Sequence, residues 1–235
     1  MRKTERRMVK MAVAFAMALL WMGSAPAAAE KITFALDWVP YGKHSGWYAA
    51  LEKGYFKEEG LTVNIVRGHG SGDTVKVMAS KGAEFGLADA ASLIIARGNT
   101  GARVKEVAMF HHKSLYCIYV LKKSGIQGPK DLAGKTIGSA IGNAARVTFP
   151  ALARATGLDP DTVKWLDVPP PSQTASLFAE KVDAIVTFAA IGPTYFEAAR
   201  KSGKPVVDYL FSDFGVDLYS SGVITQDDRI EGNPD

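Results

Sequence analysis

The stretch Leu36-Asp-Trp-Val-Pro-Tyr-Gly-Lys-His-Ser-Gly-Trp-Tyr-Ala-Ala50 decides how this chain is read. Before it, Lys31–Leu36 has the apolar pattern of a strand, and out of it runs a helical stretch, His44–Lys53, that Gly54 is placed to stop. The loop between them displays Asp37, Trp38, Tyr41 and His44. A strand feeding a short loop and then a helix is the unit of an open α/β sheet, whose ligands sit outside the carboxyl ends of the strands. Aromatic faces at that place can stack on a planar ligand, while Asp and His supply hydrogen bonds.

The alternation continues outward. Thr62–Val66, Phe85–Ala88, Val104–Phe110 and Leu115–Leu121 read as strands. Helices are predicted over Asp73–Ser80, with Asp73 as cap, and over Ala90–Arg97. A second unit has strands over Thr136–Ser139, Val163–Val168, Ala184–Thr187, Val206–Leu210 and Leu218–Thr225. Its helices cover Asn143–Thr156, Ser172–Glu180 and Pro193–Lys201, and Pro150 predicts a kink in the first of them. Met78–Arg97 and Leu177–Arg200 share one order, a helix end, Lys and an acid, a short apolar strand, small residues and a helix, which suggests two similar lobes. The chain stops at Asn233-Pro-Asp235, a helix opening with nothing after it, so C-terminal helices are expected to be missing.

The formal charge of +4 is concentrated at one end. Of 28 Lys and Arg and 24 Asp and Glu, residues 1–29 hold five basic residues and one acid, so the remainder is balanced. A nucleic-acid groove needs a standing basic excess, and no nucleic-acid partner is expected. Residues 1–29 have the form of a secretory signal peptide: a basic start to Lys10, an apolar run from Met11 to Gly23, and Ala27 and Ala29 at small-x-small spacing before Glu30. The apolar run is shorter than the ~20 residues that span a bilayer. The mature protein is therefore expected outside the cytoplasm, in the periplasm. Cys117, the one cysteine, lies in an apolar strand and reads as a small buried hydrophobe, and no cysteine follows the leader to carry a lipid.

Further along, Glu52-Lys-Gly-Tyr-Phe56, Glu59-Gly-Leu61, Gly70-Ser-Gly-Asp-Thr74, Phe85-Gly-Leu-Ala-Asp89, Asp131-Leu-Ala-Gly-Lys135 and Val182-Asp-Ala184 join the opening pattern. Together these resemble the exported solute-binding proteins of the thiamine-pyrimidine-precursor, alkanesulfonate and taurine type, over nearly all of the mature chain. The resemblance implies the type II periplasmic-binding-protein fold, α/β with two lobes of mixed sheet flanked by helices. Lobe one would be residues 30–118 with a return segment, 218–235, and lobe two residues 119–217. It implies a monomer that traps a small molecule between the lobes and presents it to the permease and ATPase of an ABC importer, without cofactor or catalysis. Pyrimidine precursors, sulfonates, taurine and aromatic acids all remain open as ligands. Trp38, Tyr41, Trp47 and Phe188 favour a ring-bearing one. The alternative is a thiamine pyrimidine synthase on the same fold, a group marked by a cysteine-rich motif that this sequence lacks.

Other candidate ligand residues stand where helices open. Gly70 and Ser71 lie in Gly68-His-Gly-Ser-Gly72, whose backbone N–H groups could hold an anion. Asp89 opens the helix with Ser92, Ser139 and Asn143 open the first long helix of the second unit, and Thr187 and Phe188 end a strand there. Tyr195 reads as core. His111 and His112 read as adjacent strand residues on opposite faces at the surface, and no metal site is expected. Neither G-x-S-x-G, H-E-x-x-H nor a P-loop pattern occurs.

Overall fold

The computed structural model describes residues 29–232. The expected leader up to residue 28 and the Asn233-Pro-Asp235 helix opening lie outside the described residues. The described residues form ten strands: β1 (Glu30–Ala35), β2 (Leu61–Val66), β3 (Phe85–Asp89), β4 (Val104–Met109), β5 (Tyr116–Leu121), β6 (Thr136–Ser139), β7 (Lys164–Asp167), β8 (Ala184–Phe188), β9 (Val206–Leu210) and β10 (Ser221–Gln226). They form two five-stranded sheets, β2-β1-β3-β10-β4 and β7-β6-β8-β5-β9.

The two sheets are built alike. Each has three parallel strands, β2-β1-β3 in one and β7-β6-β8 in the other. Each then has an antiparallel strand, β10 beside β3 and β5 beside β8, and an edge strand. The two stretches that look alike in sequence contain β3 and β8, which hold the same place in the two sheets. The chain crosses between sheets twice, before β5 and before β10. The crossings are tied together by backbone hydrogen bonds, Ser220 N–H to the His111 carbonyl at 3.1 Å and His111 N–H to the Ser221 carbonyl at 2.8 Å.

In the first sheet, the helices Ser71–Ala79 and Ala90–Thr100 cover one face around Val75, Met78 and Leu93. Trp47, Tyr48 and Leu51 of the Ser45–Lys53 helix pack with Ile32, Phe34 and Leu87 on the other. An apolar groove of about 420 Å³ remains beside Trp47, Phe34, Val107 and Val223. The second sheet buries Ile118, Val120, Ile137 and Val186 against Phe149 and Leu152 of the Ala144–Thr156 helix. Its other face packs on the helices Gln173–Phe178 and Gly192–Ser202, with Tyr119 stacked on Tyr195 at 4.1 Å. Tyr195 is core, as its setting in the sequence suggests, and Cys117 is buried and free.

Several expected elements shift. The helix expected from Asp73 begins at Ser71 with Gly70 at its cap, so Asp73 lies inside the first turn rather than capping it. The last strand begins at Ser221 rather than Leu218, because Ser220 is bonded to the crossover at His111. A short helix, Asp227–Gly232, follows it, where no helix is predicted. Among the described residues, no helix is long and apolar enough to cross a membrane.

Candidate functional site

The loop after β1 builds a compact polar cluster. Its 3-10 turn, Gly42–His44, folds back so that the buried Asp37 accepts a hydrogen bond from His44 Nε2 at 2.9 Å and another from Lys43 Nζ. The Tyr41 backbone amide donates to His44 Nδ1 at 3.3 Å, which leaves Nε2 as the natural donor to Asp37. The Tyr41 ring stands edge-on to His44, with centroids 5.0 Å apart. Burial pushes the Asp37 carboxyl up, but the hydrogen bond from His44 and the charge and hydrogen bond of Lys43 outweigh it, and the carboxyl is held below its ordinary value.

Lys43 joins the two sheets. Its ammonium lies 5.7 Å from the Tyr41 ring centroid and 5.4 Å from that of Phe188, which ends β8 in the second sheet. The side chains of Lys43 and Asp37 are only 5% and 3% exposed. The space bounded by Asp37, Trp38, Tyr41, Thr187 and Phe188 is about 10 Å³, too small for an organic solute. A larger cleft of about 560 Å³ opens on the other side of Trp38, between Arg67, His69, Lys76 and Ser92 of the first sheet's side and Ile141, Asp167 and Pro169 of the second's. Gly70 and Gly142 meet across the sheets. A Cβ on Gly70 would overlap the Gly142 carbonyl oxygen, and one on Gly142 would lie 2.8 Å from the His69 carbonyl oxygen. Both positions need glycine for this approach, and Gly70 also has a φ of 139°.

The remaining expected site residues divide by what their polar atoms do. Ser71 is buried in the first turn of its helix and lines the small cavity. Asp89 is buried at the end of β3, where Oδ1 caps the next helix by accepting from Ala91 N–H at 3.0 Å and Ser92 N–H at 3.4 Å. It also accepts the hydroxyl of Tyr116 on β5, a second link between the sheets. Burial pushes the Asp89 carboxyl up to about 6, against the opposing hydrogen bonds from Tyr116 and the helix amides. Ser139 is fully buried and donates to the Val186 carbonyl at 2.7 Å. Asn143 caps the Ala144–Thr156 helix by accepting from Ala145 N–H at 2.8 Å and reaches Thr187 Oγ1 at 3.4 Å. Ser139 and Asn143 therefore shape the second wall through internal bonds.

Two readings need correction. Trp47 does not face the cleft: it packs on Phe34 at 4.6 Å and Phe110 at 5.9 Å beside the outer apolar groove. His111 and His112 are not strand residues, because β4 ends at Met109. His111 is half-buried in the crossover, where burial and the nearby Lys43 charge push its imidazole below the ordinary value. Lys43 was missed. Its only signal was its place between Tyr41 and His44, from which a four-carbon stem can reach back to Asp37. Among the described residues, no group of three or more His, Cys, Asp or Glu side chains is placed to hold a metal ion.

The chain is similar to known proteins of two kinds. It is 28% identical over 201 residues to a formylaminopyrimidine-binding protein of Halalkalibacterium halodurans, a match that covers 84% of this chain and 58% of that protein. It is 31% identical over 133 residues to a 4-amino-5-hydroxymethyl-2-methylpyrimidine phosphate synthase of Saccharomyces cerevisiae, covering 56% of this chain and 38% of the enzyme. The chain thus spans well under two thirds of the length of either relative. Among solved structures, the alkanesulfonate-binding protein of Xanthomonas axonopodis pv. citri bound to MOPS superposes with a TM-score of 0.64 at 17% identity, covering 89% of this chain and 69% of that one. That likeness bears on the fold, which is the α/β fold of type II periplasmic binding proteins. Residues 42–235 match the family model described as NMT1/THI5 like, and the chain belongs to that family.

Proposed function

We propose that the protein is the exported substrate-binding component of an ABC importer, which captures a small organic solute between its two lobes and passes it unchanged to the membrane permease and ATPase. The lobes are the two sheets with their helices, and the paired crossovers at His111 and Ser220 are the hinge about which they close. The leader-like residues 1–29 support export to the periplasm.

The observation that carries this reading is the cluster of Asp37, Lys43, Tyr41 and Phe188, where a carboxylate and two ring faces from both lobes converge. Such a wall suits a planar, nitrogen-bearing ring. It suits a sulfonate less well, because the lysine there is already paired with Asp37. The favoured solute is therefore a pyrimidine of the thiamine-precursor type, in keeping with the formylaminopyrimidine-binding relative. The synthase reading draws on the yeast likeness. Against it, the single cysteine is buried, and that burial pushes its thiol up to about 12, far from a reactive thiolate.

A thermal-unfolding screen of the full chain tests the proposal, with 4-amino-5-hydroxymethyl-2-methylpyrimidine, MOPS, taurine and benzoate as the panel. A solute that binds only the folded state at 100 times its dissociation constant adds ~2.7 kcal/mol. For a chain of this size that is a rise of several degrees. The pyrimidine is expected to give it. A cooperative transition that no compound moves would overturn the binding reading.

A further inference from the structure

We infer that the Lys43 ammonium is an internal stand-in for the ligand, seated in a cage of the Asp37 carboxylate and the Tyr41 and Phe188 ring faces, and that the solute displaces it with an amino or ammonium group of its own. The inference rests on the solute-binding reading and extends it to the part of the ligand that is recognised.

An ammonium is strongly hydrated, and burying one is costly unless a carboxylate and other favourable contacts replace the water. Lys43 has such replacements: Asp37 accepts its hydrogen bond, and two rings present their negative faces at 5.4 and 5.7 Å. Phe188 comes from the other lobe, so the lysine tail bridges the two lobes at this point, and almost no space remains beside it. The tail is on a long, flexible stem rooted in the Gly42–His44 turn, with Gly42 exposed, so it can swing out without disturbing β1. Asp37 keeps the His44 hydrogen bond after it leaves and is left with one carboxylate oxygen free to accept. A lysine meant to meet an anionic head group would face the cavity unpaired. Here the group facing the cage is the carboxylate. An aminopyrimidine meets both demands, with a ring for the slot between Tyr41 and Phe188 and an exocyclic N–H donor for Asp37.

The test is a calorimetric comparison of the wild-type chain and Lys43→Ala, with 4-amino-5-aminomethyl-2-methylpyrimidine as the amine and MOPS as the anion. Removing the stand-in is expected to tighten amine binding tenfold or more and to leave MOPS no better bound. Amine binding that is unchanged or weakened in the variant overturns the inference. MOPS binding to the wild type without amine binding to either form overturns the inference but spares the solute-binding reading. No heat from any combination overturns both. A second measurement needs neither the variant nor a known solute. In the ligand-free wild type, Lys43 is expected to be acetylated by acetic anhydride at least tenfold more slowly than the exposed Lys57. Equal rates would show that the cage is not occupied.

Discussion

Asp37 just past β1 and Asp89 at the last position of β3 stand at the carboxyl ends of neighbouring strands in one sheet, and both are buried, yet they are opposites. Asp37 has two partners with protons to give, Lys43 and His44, and stays ionised. Asp89 has a tyrosine hydroxyl and two helix amides for partners, and burial pushes its carboxyl up to about 6 against their hydrogen bonds. The first holds a lysine ammonium and a histidine ring. The second ties lobe to lobe through Tyr116 and caps a helix. Equal burial at equivalent strand ends therefore does not give equal roles. What decides is whether a cation shares the site.

The largest effect is expected at Asp37. Asp37→Ala removes the acceptor of the hydrogen bonds from Lys43 and His44, and a hydrogen bond to a charged group is worth about 1.5–3 kcal/mol. Urea unfolding measures it. A loss below 1 kcal/mol would mean that Lys43 has another home. With its pKa lowered in the folded state, Asp37 contributes stability that is present above its ordinary value and is lost as pH falls through the folded one.

Asp89 has the opposite sign. Its folded pKa, about 6, lies above its ordinary 3.8, so the folded state binds the extra proton between those values. Its contribution is full below pH 4 and declines as pH rises through 6. Asp89→Asn keeps a cap oxygen and removes that decline. Between pH 4 and 7 the variant is expected to gain on the wild type by up to about 3 kcal/mol. Parallel stability curves for the two proteins would place the Asp89 carboxylate in a more polar setting than its burial implies.

Closure sharpens the contrast between holding and tying. Gly70→Ala places a methyl group on the Gly142 carbonyl and is expected to weaken solute binding by about a hundredfold, or ~2.7 kcal/mol, while each lobe stays folded. Calorimetry beside unchanged circular dichroism checks this, and wild-type affinity would separate binding from closure at Gly142. The smallest effect compares two tryptophans. Trp38→Ala, beside both cavities, is expected to cost about tenfold in affinity, or ~1.4 kcal/mol. Trp47→Ala, on the outer groove, is expected to leave affinity alone while lowering the unfolding temperature. Equal losses of affinity would contradict the placing of Trp47.

Much of the fold was legible because it is local. Thr136–Ser139 and Val206–Leu210 form strands over the predicted bounds, and Asn143 and Asp89 open helices with side chains suited to capping. The loop from Asp37 to His44 stood out because it concentrates polar and aromatic groups between a strand and a helix. What could not be read depends on contacts across the chain. Trp47 shares a helix with residues near the loop, but the sheet face it packs on is set by β1. His111 looked like a strand residue until Ser220 and Ser221 claimed its backbone. Lys43 carries no signal of its own in the sequence, and only the approach of Phe188 from the second sheet makes it part of the site.

The most direct test is a calorimetric titration of the full chain with 4-amino-5-hydroxymethyl-2-methylpyrimidine, followed by recovery of the ligand for mass analysis. The account predicts saturable one-to-one binding, micromolar or tighter at about −8 kcal/mol or stronger, and a ligand recovered unchanged. A ligand recovered as a new compound would contradict it.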